Sequence, residues 1–399
     1  MIDEILERQI HGKTVFKNRD ALSPHYVPDH LPYREEQIEE LTKTIAPVLS
    51  GKKPENVFIY GKTGTGKTSV AKFVARKVKE FAEKHGISVD VIYINCRMHN
   101  TRTNVFVKIA KELRQEENFL GLPTSYIYER ILDEVRKRNL RLIIILDEID
   151  MLKNIADTVY GLNRANDELE NGSISLIGIS NVLTLKDRLD ARTKSTLCQK
   201  EMVFPPYDAE GLRKILEDRA KIAFKDEAVD PAVIAKTAAF AARQSGDARY
   251  ALQLLLRAGD VADEEGAEKV TVEHLEKAKE KVEEDIILDM VSQLPLNQKI
   301  VLLAIAQLAE KNAGMRLFGD GKPVLTSGEV YTAYTQLADK LGRDAVSDRW
   351  FREYISELAM YGLLHVEQAG KGFRGNTRLI RLKFDPEKIR AVLERSLLN

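Results

Sequence analysis

"NVFIYGKTGTGKTSV", residues 56–70, decides the fold of this chain. A short apolar run, Val57-Phe58-Ile59-Tyr60, leads directly into Gly61-x-x-x-x-Gly66-Lys67-Thr68, and a helical pattern follows. Glycines here let backbone N–H groups wrap a phosphate chain. The helix that starts near Lys67 aims the positive end of its dipole at the same point. Lys67 is placed to reach the β- and γ-phosphates, and Thr68 to offer its hydroxyl to Mg²⁺. A glycine-rich turn without a ligand needs neither the strand before it nor the helix after it. Strand, loop and helix together predict nucleotide binding, with Gly61, Thr63, Gly64, Thr65, Gly66, Lys67 and Thr68 as the cradle.

Outward from the loop, strands at 89–95, 142–146, 173–179 and 199–204 alternate with helical patterns. The runs are short, apolar and β-branched, as expected of a parallel sheet covered on both faces. The third strand reads "LIIILDEID" and delivers Asp147 and Glu148 at its C-terminal end, where open α/β sheets bind ligands. Asp147 is expected to hold Mg²⁺, directly or through water, and Glu148 to act as general base on the attacking water. With the loop about eighty residues upstream, the pair argues for hydrolysis as well as binding. The fourth strand ends in Ser180-Asn181. That pair either closes the strand in a turn or presents an amide to the lytic water; the residues alone allow both. "RLDARTKSTL" places Arg188, Arg192 and Lys194 in a loop after this strand, and "SGDARYALQLLLRA" places Arg249 in the first turn of a helix. An arginine there opposes the helix dipole, so it calls for a nearby anion such as the γ-phosphate. The plain alternative is a surface ion pair, worth little.

At 399 residues the chain exceeds one ordinary core, and its 44% hydrophobic and 31% charged residues suit a globular protein. No apolar run reaches the ~18 residues of a membrane span. The acid-bearing N-terminus "MIDEILERQI" does not read as a secretory signal. Cys96 and Cys198 provide neither metal spacing nor a disulfide framework, so a reducing cytosol is expected. Net charge is zero, with 61 basic and 61 acidic residues. Residues 291–399, however, carry 16 basic against 12 acidic, leaving 45 against 49 elsewhere. Three domains are expected: a P-loop core at 1–206 with a basic N-terminal segment (His11, Lys13, Lys17, Arg19), a small helical domain at 207–288, and a third at 289–399.

The third domain reads as helices 297–311, 327–341 and 347–360, then strands 363–368 and 377–383 around a glycine-rich tip, which is winged-helix order. On helix 347–360, Phe351, Ile355 and Leu358 form one apolar stripe, with Arg349, Arg352, Glu353 and Ser356 opposite. Two arginines and a serine on an open face suit a major groove. The wing, "GKGFRGNTRLIRLK", carries Lys371, Arg374, Arg378, Arg381 and Lys383 with no acid between Gln368 and Phe384. A winged helix used only for protein contacts is the alternative; the acid-free basic hairpin favours DNA.

Taken in order, "LPYREEQI", "GKTGTGKT", "ILDEID", "GISN", "RLDARTKST", "GDARYAL" and the C-terminal helices plus wing resemble the AAA+ ATPases. More closely, the chain resembles the archaeal origin-recognition and replication-licensing initiators of the Orc/Cdc type, over nearly its whole length. The resemblance implies an α/β P-loop AAA+ core, an all-α lid and a C-terminal winged-helix domain. It implies an ATPase that binds ATP/ADP with Mg²⁺, in the cytoplasm at the nucleoid and without membrane association. Asn181 then corresponds to the sensor beside the γ-phosphate, and Arg249 to the lid arginine that reaches it. Arg192 matches the finger that acts on a neighbouring subunit's nucleotide, with Arg188 close by as the other candidate. Val27, Pro28 and Tyr33 fall near the adenine. Residues 97–125, with Arg97, Arg102, Lys108, Lys111 and Arg114, match the insertion that touches the DNA minor groove in the family. Implied partners are double-stranded origin DNA, the replicative helicase, and a second copy or paralogue on DNA. The expected mechanism is a slow ATP switch in which Lys67 and Arg249 bridge core and lid and so gate DNA engagement. A clamp loader, a signalling ATPase, or a transcriptional regulator that uses ATP only as a ligand would share parts of this pattern.

Overall fold

The computed structural model describes residues 14–23, 26, 28–114, 117–119, 121–292, 294–311, 317–318, 322–368 and 377–398. The chain divides into two compact units, Met1–Glu276 and Lys277–Asn399.

The first unit is built on five parallel strands, β1 (Val57–Tyr60), β2 (Val89–Asn95), β3 (Arg141–Asp147), β4 (Ser173–Ser180) and β5 (Lys200–Val203), in the order β2-β3-β4-β1-β5. Successive side chains point to opposite faces, and both faces are buried. Phe58, Ile144 and Leu146 pack on one side with Phe106, Ile131 and Val159. Val57, Ile59, Ile143 and Ile145 pack on the other with Val70, Val74 and Val78. This two-sided burial is why β3 and β4 read as unbroken apolar runs. Each such side chain contributes about 1.5–3 kcal/mol by leaving water. The sheet order sets the C-terminal ends of β3, β4 and β1 side by side, so Asp147, Ser180 and the glycine loop share one edge.

The lid includes the helices Ala209–Ala223, Pro231–Gln244 and Ala248–Glu264. Each starts at an aspartate (Asp208, Asp230, Asp247) whose carboxylate accepts first-turn N–H groups, as helix N-termini require. Residues 14–22, grouped with the core in the sequence reading, pack on the lid instead. Phe16 stacks on Phe224 at 4.8 Å between centroids, and Arg19 pairs with Asp260 at 2.9 Å. The apolar pair Val15-Phe16 drives this; Gly259 leaves room for the Phe16 ring, which would meet a Cβ there at 2.3 Å.

In the second unit, helices Leu296–Lys311, Ser327–Lys340 and Asp348–Met360 precede β7 (Leu364–Gln368) and β8 (Arg378–Leu382). Phe351, Ile355 and Leu358 are buried, as their spacing predicts, and Tyr334 packs beside Phe351. Several elements here escaped the sequence reading, among them the paired strands Leu317–Phe318 and Lys322–Pro323. A two-residue strand, β6 (Leu325–Thr326), pairs with β8 and completes the three-stranded sheet β6-β8-β7. A final helix, Pro386–Leu398, packs Ile389 and Leu393 into the core.

Candidate functional site

The glycine loop turns because Gly64 (φ 68°) and Gly66 (φ 86°) occupy the left-handed region. Gly64 is also too close to the lid for any side chain: a Cβ would lie 1.6 Å from the Asp247 carboxylate. The lid rests on the loop there, with the Ala248 N–H donating to the Gly64 carbonyl at 3.1 Å. Lys67 is buried, and its Nζ donates to the carbonyls of Gly61 (2.8 Å) and Lys62 (2.7 Å). Burial first, and then the charge of Arg249, lower its pKa to about 8. Gly64, Thr65, Gly66, Lys67 and Thr68 line a cavity of about 380 Å³, within the usual range for small-ligand sites. Gly61 and Thr63 are not on its wall. Gly61 instead meets the Phe204 carbonyl, which a Cβ would approach to 2.4 Å.

Across the cavity, the Thr68 hydroxyl donates to Asp147 Oδ2 at 2.9 Å. Tyr93, which the sequence reading passed over, donates to the same oxygen at 2.8 Å, and the Glu148 N–H bonds Oδ1 at 3.0 Å. Burial, and then the Asp147 charge, push the Tyr93 phenol well above its usual range, so it stays a donor. A hydroxyl and a carboxylate oxygen this close are the hard ligands that Mg²⁺ takes, so Thr68 and Asp147 fit the ion. Glu148 has a left-handed backbone (φ 52°), uncommon for a non-glycine residue and concentrated at functional sites. Its carboxylate is held by Arg97 at 2.9 Å. Asn181 follows β4, whose Ser180 hydroxyl bonds Asp150 at 2.7 Å, and Arg249 stands in the first turn of the lid helix. Glu148, Asn181 and Arg249, scattered over a hundred residues, line the same cavity.

The lining also includes Tyr26, Pro28, Ile215, Ile222 and Leu252, with the charged Asp218, Arg219 and Lys221 among them. Arg219 steadies this part of the lining by donating to the carbonyls of Ala21 (2.8 Å) and Tyr26 (3.0 Å) while stacking on the Tyr26 ring. Of the residues that the resemblance sets near the adenine, Pro28 is on the cavity wall, and Tyr33 is off it and 41% exposed. Its left-handed backbone (φ 60°) turns it toward the lid, near Gly211. Val27 lies outside the described residues.

Arg188, Arg192 and Lys194 are not in a loop. Arg188 ends the single turn Leu185–Arg188, and helix Ala191–Leu197, capped by Asp190, carries the other two. Arg192 is exposed with its guanidinium 3.9 Å from the Tyr160 ring centre. In the segment 97–125, Arg102 lies over Phe106 and Lys108 pairs with Glu112 at 2.5 Å. In the second unit, Arg349 and Arg352 are exposed, and Arg352 pairs with Asp348 at 2.8 Å. Arg378 is tied to the neighbouring helix, donating to the Ser356 hydroxyl at 2.9 Å. Arg381 pairs with Glu367 at 3.0 Å. Lys371 and Arg374 lie outside the described residues.

Residues 51–185 match an AAA domain, 213–280 a Cdc6 AAA+ ATPase-type lid domain and 289–392 a CDC6 C-terminal winged helix domain. An ORC1-type DNA replication protein of Thermococcus onnurineus is 42% identical over 98% of this chain and 94% of its own length. ORC1-type DNA replication protein 1 of Archaeoglobus fulgidus is 42% identical over 98% and 93%. The chain belongs to the ORC1-type DNA replication proteins. The structure of the Aeropyrum pernix ORC1 protein in complex with DNA is similar with a TM-score of 0.79 at 39% identity, covering 96% of this chain and 97% of that one. The relatives named are archaeal, and the AAA domain match supports ATPase activity and nucleotide binding in general. Among the described residues no helix is long and apolar enough to cross a membrane.

Proposed function

We propose that this chain is a replication initiator that binds double-stranded origin DNA and uses ATP, bound between core and lid, to control that grip. The observation that carries the reading is a cavity with Lys67, Asp147 and Glu148 on the core and Arg249 on the lid, in a chain that also has a winged helix with Arg349 and Arg352 exposed. The DNA-bound relative supports the choice of ligand. In hydrolysis the Glu148 carboxylate takes a proton from water as the water oxygen bonds the γ-phosphorus, and the bond to the β–γ bridging oxygen breaks to release ADP. Lys67 and Arg249 bind the phosphate charge from opposite sides, and Asn181 orients the water. Thr68 and Asp147 would hold Mg²⁺, which would supply charge neutralisation for the phosphates.

Turnover is slow in this proposal because Glu148 must first leave Arg97, and because Arg192, with Arg188 as alternate, completes the site of a second copy or paralogue rather than its own. DNA is gripped by the winged helix and by the segment 97–125, with Lys371, Arg374 and Arg378 setting the wing on phosphates. The bound initiator then helps deliver the replicative helicase.

The test is a footprint on genomic fragments at physiological salt, with ATP, with ADP and with neither. A few discrete protected repeats that change with nucleotide are expected. Uniform weak protection that vanishes with salt would sink the reading.

A further inference from the structure

Arg34 has no place on the cavity wall, yet it is only 4% exposed. Each nitrogen position of its guanidinium donates to a backbone carbonyl: Nε to Thr65 (2.9 Å), Nη1 to Tyr33 (3.0 Å) and Nη2 to Pro205 (2.7 Å). Its flat face lies 3.8 Å from the centre of the Tyr207 ring. These acceptors belong to three pieces of the site. Thr65 is in the phosphate loop. Tyr33 ends the segment that lines the cavity at 28–32. Pro205 begins the connector from β5 to the lid, one residue after Phe204.

Tyr207 carries the contact further. Its N–H donates to the Gly246 carbonyl at 3.1 Å, and its hydroxyl stands where a Cβ on Gly66 would meet it at 2.7 Å. Gly246 precedes Asp247, the cap of the helix whose first turn holds Arg249. One guanidinium thus sits between the loop that takes the phosphates and the turn that aims the lid arginine.

Stability alone does not account for it. Among the described residues no carboxylate accepts a hydrogen bond from Arg34, and burial lowers its pKa. An apolar side chain of similar volume usually serves a core at least as well as a buried cation. What a guanidinium alone supplies is a rigid planar fork that holds several acceptors in one geometry.

We infer that Arg34 is a positioning residue that registers the phosphate loop, the segment 28–33 and the core–lid connector as one body, so that Arg249 meets the γ-phosphate in the reactive geometry. The inference rests on the proposed ATP reaction. Arg34 touches no reacting atom and acts through Arg249. Lysine keeps the charge and length but has no fork.

The experiment compares wild type, Arg34→Lys, Arg249→Ala and the double variant, measuring ATP turnover, nucleotide affinity and thermal unfolding. The expected result for Arg34→Lys is a kcat loss of about tenfold or more with KM and ADP affinity within about threefold, since misplacement by about an ångström costs rates up to a hundredfold. The double variant should be no slower than Arg249→Ala, because both remove the same interaction. Should Arg34→Lys fail to fold, Tyr207→Leu removes the stacked ring while leaving the carbonyl bonds, and the same kcat-selective, non-additive loss is expected. The inference is overturned if the losses multiply in the double variant, if affinity and unfolding temperature fall together with kcat, or if kcat does not change. A wild type that binds ATP but never cleaves it would instead overturn the proposed reaction.

Discussion

Arg97→Ala should speed ATP hydrolysis, and the structure limits by how much. The Arg97 side chain is 70% exposed and Glu148 23% exposed, with 2.9 Å between Nε and the carboxylate. An ion pair this open to water is worth about 0.2–1 kcal/mol. If Glu148 must leave the pair before it can take a proton from water, that energy is part of the barrier. Removing it raises the rate constant by about 1.4- to 5-fold. The assay is single-turnover hydrolysis with ATP bound in advance, so that release of ADP does not mask the step. Salt offers a second reading of the same quantity. Raising ionic strength screens the pair, so the wild-type rate should climb toward that of Arg97→Ala, which should itself stay nearly flat. A variant equal to or slower than wild type would show that Arg97 does not restrain the base. A rise far above fivefold would mean that Arg97 restrains more than this one ion pair.

Glu148→Gln should bind ATP with wild-type affinity and leave turnover at background; unchanged turnover would remove Glu148 as the base. Since the folded-state pKa of Lys67 is lowered to about 8, metal-free ADP affinity should be constant below about pH 8 and fall by up to about tenfold per unit above it, with proton uptake on binding. Calorimetry in two buffers measures both, and a pH-independent affinity between 7 and 9 would contradict the assigned contact. Phe351→Ala should cost about 3–5 kcal/mol in the second unit, because a fully buried ring between Tyr334 and Tyr331 leaves a cavity. Denaturant unfolding checks it; a loss under about 1 kcal/mol would place the ring outside the core.

The sequence by itself determined the parts whose chemistry is local. A glycine loop between strand and helix, acids at the end of an apolar strand, and an apolar stripe at 351, 355 and 358 each follow from the spacing of a few neighbours. The five core strands were legible for the same reason, since burial on both faces writes continuous β-branched runs. Short elements were not. β6 has two residues, too few for any period, and exists because β8 offers it partners.

Tertiary structure alone decided which residues meet. Tyr93 reads as one more aromatic in a strand, and only the pairing of β2 beside β3 brings its hydroxyl to Asp147. Tyr33 lies five residues from Pro28, but a left-handed turn carries it off the cavity wall. Residues 14–22 precede the core in the chain, yet they pack on the lid, because Gly259 opens a slot for Phe16. Arg34 looks like one charge among many in "YREEQ". Its role depends on carbonyls 31 and 171 residues away, and carbonyls are common to every residue and leave no mark in a sequence.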